Sequence, residues 1–163
     1  MIREPHRLTR WKLKQSPLAG HLFTCARPGR SKGSKVNIPD DLVNTWVKGL
    51  PDSEEVTIVS LLGRKPTGKS EFSFYSFRGG FESERPRCPT FQEWLDGRYG
   101  SGRYRVLEYP TIDLQQVPSE TLSQVSATVL SLIRQGRTVV LMDSGGFSRV
   151  ERVCTFMGFR REE

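Results

Sequence analysis

Apolar positions along this chain recur in two rhythms: short runs of β-branched residues and longer stripes at helical spacing. Residues 56–62 and Thr138 to Met142 are near-continuous apolar runs, the pattern of buried strands. Residues 19–25 and Tyr104 to Leu107 read as further strands. Near the N-terminus Trp11 and Leu13 alternate with Arg10, Lys12 and Lys14, which predicts a strand with one basic face. Leu42, Val43, Trp46, Val47 and Leu50 form a helical stripe that opens after Pro39. Phe91, Trp94 and Leu95 predict a short helix over 90–96, stopped by Gly97. Leu122, Val125, Val129, Leu132 and Ile133 mark a longer helix, capped by Ser119 and closed by Gly136. Val150, Val153, Cys154 and Met157 mark a last one, with Ser148 and Glu151 spaced as a capping box. Helices alternating with apolar strands predict a single-domain α/β fold, its central sheet largely parallel and flanked by helices.

The most telling stretch joins the last apolar strand to the last helix. Ser144-Gly145-Gly146-Phe147 must turn sharply, and its two glycines permit positive φ. A loop that closes onto a helix N-terminus aims several backbone N–H groups at one point, where the macrodipole adds positive potential. Arg149, in the first turn, offers a guanidinium fork to a phosphate. Ser144, Gly145, Gly146, Phe147, Ser148 and Arg149 are therefore the candidate phosphate-binding residues.

This segment resembles the signature loop of the dual-specificity branch of the protein tyrosine phosphatases: His-Cys, five residues, then Arg. Met142 and Asp143 stand at the histidine and cysteine positions, while the glycines and Arg149 match. Residues 109–122 are similar to the family's general-acid loop and long helix, which assigns Asp113 to the acid position. Residues 21–30 and 56–62 look like its early strands, and the resemblance spans roughly 18–157, with 63–103 atypical. It implies a phosphatase-like domain over 18–163, preceded by a basic arm or edge strand over 1–17. The family's nucleophile is a thiolate with a lowered pKa. Asp143 removes it, and one engineered exchange would leave Met142 unexplained, so the pattern points to a naturally degenerate site.

An ionised carboxylate only accepts hydrogen bonds, so the loop's own N–H groups can satisfy Asp143 and make it an internal anion. A phosphate oxygen about 4 Å away meets roughly 4 kcal/mol of repulsion per charge pair at an effective dielectric near 20. The expectation is a pseudophosphatase, a regulatory module that binds phosphate or an acidic partner. Were it active, it would be a phosphatase in which Asp143 attacks phosphorus to form an acyl phosphate and Asp113 serves as the acid. No cofactor is implied.

A rival motif lies in the atypical stretch. Gly63, Gly68, Lys69 and Ser70 fit the spacing of a nucleotide-binding phosphate loop after a strand. That mechanism needs a helix directly after Ser70, whereas the aromatic alternation over 71–80 predicts a strand or hairpin. A basic nucleic-acid-binding module is a third reading.

Composition narrows the remainder. The chain has 163 residues, enough for one core. A net charge of +7 favours an anionic partner: a phosphorylated protein, nucleic acid or an acidic protein surface. Cys25, Cys88 and Cys154 are few and scattered, which argues against a disulfide framework and for a reducing, cytoplasmic setting. With only His6 and His21 besides, no metal site is expected. No apolar run reaches the ~20 residues of a membrane span, and the basic N-terminus has no apolar signal core.

Overall fold

The computed structural model describes residues 8–13, 19–30, 40–63, 66–67 and 90–162. In chain order its elements are β1 (Thr9–Leu13), β2 (His21–Ala26), α1 (Asp40–Lys48), β3 (Val56–Ser60) and α2 (Phe91–Tyr99). Then follow β4 (Tyr104–Glu108), α3 (Ser119–Arg134), β5 (Thr138–Asp143), α4 (Ser148–Phe156) and β6 (Phe159–Arg161). They build one α/β domain on a six-stranded sheet of order β4-β3-β5-β2-β1-β6.

The four strands β4, β3, β5 and β2 run parallel. β3 and β5 are buried at every position, as strands covered on both faces must be, which is why they read as unbroken apolar runs. One face packs Ile58, Val140 and Met142 against Trp46, Phe91 and Trp94 of α1 and α2. The other packs Val59, Val139 and Leu141 against Val125 and Val129 of α3 and Val150 and Val153 of α4. Register sets Ala26 beside Asp143, and Ser60 beside both Met142 and Glu108. The parallel strands thus end in one row, and the loops that leave them surround a single spot, the usual ligand edge of such sheets.

The segment expected as an arm or edge strand contributes β1, which pairs antiparallel with β2 and carries the short β6 on its outer side. Trp11 turns inward and donates its Nε1–H to Thr24 Oγ1 at 2.9 Å, while Arg10 and Lys12 are exposed.

Two element boundaries differ from expectation. α2 does not stop at Gly97 but runs through it to Tyr99 and ends at Gly100, whose φ is 94°. A helical glycine costs about 1 kcal/mol relative to alanine; beyond it Tyr99 packs edge-on against Trp94 and Tyr104 and donates its hydroxyl to Asn44 Oδ1, contacts that the continued helix makes possible. Ser119 is the first residue of α3 rather than its cap; Pro118 holds the cap position and its carbonyl accepts from Leu122 N–H at 2.9 Å. Gly136 lies just past this helix with φ of 83°, as its position predicts. Among the described residues no helix is long and apolar enough to cross a membrane.

Candidate functional site

β5 delivers Asp143 to the C-terminal end of the sheet, where its side chain is only 2% exposed. Ser144 to Phe147 then turn the chain into α4. Gly146 alone of the two loop glycines uses positive φ, at 76°. It also lies hard against β2: a Cβ there would stand 2.7 Å from Ala26 N and 2.8 Å from the Cys25 carbonyl carbon. Gly145 has no such constraint, since a Cβ on it would meet only the Phe147 ring, at 3.6 Å.

The amides of the loop converge, and what they converge on is Asp143 itself. Its Oδ1 accepts a short hydrogen bond from Gly146 N–H. Its Oδ2 accepts from Arg149 N–H and Val150 N–H, each at 3.1 Å. An α-helix begins with N–H groups that lack intrahelical partners. Here a carboxylate several residues upstream satisfies them, with charge-assisted bonds and the helix dipole both in its favour.

The expected capping box does not form. Phe147 holds the cap position without a side-chain bond and Ser148 is an exposed first helical residue. Glu151 pairs instead with Arg161 of β6. Glu151 N–H, the donor that a Ser148 cap would take, goes instead to the Phe147 carbonyl at 2.9 Å, because the helix has already begun at Ser148.

Arg149 is 4% exposed and turns towards the loop after β4. Its Nη1 donates to Thr111 Oγ1 at 3.1 Å and to the Leu61 carbonyl at 3.4 Å, and its Nη2 donates to Asp113 Oδ1 at 3.1 Å. Asp113 Oδ1 also accepts from Leu114 N–H at 3.0 Å. Thr111 closes the set by donating Oγ1–H to the Leu61 carbonyl. The structure therefore brings Asp113 together with Asp143 and Arg149, residues of two separate stretches. The fork expected to grip phosphate instead holds the acid-loop aspartate.

Sequence reasoning missed Thr111 and the Leu61 carbonyl. The only signal for them was their position at the ends of β4 and β3, where parallel strands deliver functional groups.

Gly63 has a visible task in the same network. A Cβ on it would come within 2.1 Å of the Thr111 carbonyl oxygen, so the close approach of the acid loop to the end of β3 requires glycine. Of the rival nucleotide set only Gly63 falls in the described region; Gly68, Lys69 and Ser70 lie outside the described residues, as do the aromatic run and Cys88.

Both described cysteines, Cys25 and Cys154, are free and buried. Burial, with Asp143's negative charge adding to it, pushes the Cys25 thiol well above its ordinary range, against a smaller opposing hydrogen bond from Trp46. Burial alone does the same to Cys154 on α4. Among the described residues no three histidine, cysteine or acidic side chains gather as metal ligands would.

Beside this network lies a cleft of about 510 Å³, between Leu114 to Val117 on one side and Ser148, Arg149 and Arg152 of α4 on the other. Leu114 is 87% exposed and has φ of 63°.

No protein-family model matches this chain, and no curated protein matches it. Among solved structures it is similar to kinase associated phosphatase (KAP), in a form with the catalytic cysteine replaced by serine. That match has a TM-score of 0.59 at 14% identity and covers 95% of this chain and 74% of KAP. It is also similar to Tk-PTP in its active form, with a TM-score of 0.47 at 15% identity, covering 85% and 67%. The likeness to KAP shows that this chain has a phosphatase fold.

Proposed function

We propose that this phosphatase-fold protein is a cytoplasmic pseudophosphatase, a regulatory module that binds an anionic partner and does not hydrolyse phosphate esters. One observation carries the reading: the Asp143 carboxylate takes the Gly146, Arg149 and Val150 N–H groups, the donors that a phosphoryl group would need. The Arg149 guanidinium, committed to Asp113 and Thr111, points the same way. Attack by Asp143 on phosphorus is disfavoured, because both its oxygens are engaged and the group is buried. The partner class rests on the +7 net charge. The cytoplasmic setting rests on free, buried Cys25 and Cys154.

The test is a thermal shift with inorganic phosphate. The wild-type melting temperature stays unchanged at millimolar phosphate. Asp143→Ala starts lower, having lost hydrogen bonds to a charged group worth about 1.5–3 kcal/mol each. It then rises with phosphate, by the equivalent of about 2.7 kcal/mol at a hundredfold excess over Kd. Wild-type protein that responds as strongly as the variant, or that turns over an aryl phosphate with a rate abolished in Asp143→Ala, contradicts the reading.

A further inference from the structure

Four large apolar side chains are exposed among the described residues: Ile112, Leu114, Phe147 and Phe156. All belong to the acid loop, the cradle or α4. Such concentration is the mark of an interaction surface rather than of scattered surface leucines.

Leu114 is the extreme case. A left-handed backbone is strained for a leucine, yet the side chain gains no burial in return. Strain of this kind persists where surrounding contacts enforce it. Here Asp113 Oδ1 accepts Leu114 N–H while Arg149 anchors Asp113. The acid loop is thus held in one shape, with an apolar knob at the rim of the 510 Å³ cleft.

The lining of that cleft states what it would take. It combines aliphatic Leu114 and Val117, the amides of Gln115 and Gln116, and the exposed Arg152, with no carboxylate among the lining residues. Arg152 lies over the Phe156 ring, 5.9 Å from its centroid, which limits the freedom its side chain has to lose on binding. No aromatic residue lines the cleft itself, whereas a single-stranded nucleic-acid site stacks its bases on aromatic rings. Amide side chains, which both donate and accept, match the backbone of an extended peptide.

We infer that the cleft between the acid loop and α4 is a docking site for an acidic peptide segment of a partner protein. The segment sets a carboxylate on Arg152 and an apolar side chain against Leu114 and Val117. This extends the proposed pseudophosphatase reading by giving its partner a chemistry and a place beside the filled cradle.

The test pans the full chain against a phage library of random dodecapeptides, then measures the enriched sequences as synthetic peptides by fluorescence anisotropy. Enriched peptides carry more acidic than basic residues together with at least one large aliphatic residue. Their affinity falls roughly tenfold or more in Leu114→Asn and in Arg152→Glu. Asparagine tolerates the left-handed backbone, so the first variant removes the apolar knob without disturbing the loop. The inference is overturned by a lack of enrichment, by peptides without acidic excess, or by affinities indifferent to both variants. Tighter binding of a single-stranded oligonucleotide through the same two residues also overturns it. A cleft that fails leaves the phosphate response of Asp143→Ala intact, and a plug that fails leaves the peptide result intact, so the two readings fail separately.

Discussion

Asp143 does at once what several residues do elsewhere. It ends a buried strand, caps the next helix and neutralises the cluster of amides that the turn creates. A buried carboxylate is costly unless it is well hydrogen-bonded, and here both oxygens are. Gly146 makes the arrangement possible, because its N–H reaches Asp143 only in a conformation that side chains rarely adopt, and only with its Cα against β2. Gly146→Ala therefore combines a strained φ with a backbone clash. The expected cost exceeds about 2 kcal/mol in urea unfolding; Gly145→Ala, where a Cβ meets only ordinary contact, stays well below that. Equal effects of the two substitutions would show that the loop does not pack as described.

At the level of elements, the chain's own pattern goes a long way. The runs that became β3 and β5, and the stripes that became α1, α3 and α4, are visible because burial on one face or both imposes the period. Boundaries were less legible where a local rule met a tertiary one. Gly97 reads as a stop, but the contacts of Tyr99 with Trp94 and Tyr104 carry the helix through it. A Cβ at Gly97 would meet nothing within 4 Å. Gly97→Ala is accordingly expected to raise stability by about 0.5–1 kcal/mol, seen as a higher denaturation midpoint. A loss instead would mean that the helix breaks there after all. Ser148 shows a related conflict: a capping box is a local pattern, but Asp143 takes the Arg149 and Val150 N–H groups and Glu151 N–H pairs with the Phe147 carbonyl, so Ser148 lies inside the helix. The outer edge of β4 shows another contact that spacing does not reveal. The Gln92 side chain donates to the Tyr104 carbonyl and accepts from Val106 N–H, each at 2.7 Å, covering polar groups that an open edge would offer to another strand.

For the molecule as a whole, the parallel strands bring residues distant in sequence to one place. Leu61, Thr111, Asp113, Asp143 and Arg149 meet there because β3, β4 and β5 end together. Of these, Leu61 and Thr111 were not legible, whereas Asp113, Asp143 and Arg149 were, from the turn-to-helix pattern and from the resemblance that pattern carries. Their pairing was not, since nothing in the spacing tells an arginine whether to face a phosphate or an aspartate 36 residues away. The resulting centre sits in a phosphatase fold, with the Asp143 carboxylate accepting the loop amides. Beside it, exposed Leu114 and Arg152 border the cleft. The most direct measurement follows the amide resonances of Gly146, Arg149 and Val150 in a two-dimensional NMR titration with inorganic phosphate. The account predicts that these amides do not move in the wild-type protein and shift together in Asp143→Ala. Wild-type amides that shift in a saturable way, with Asp143 in place, would contradict it.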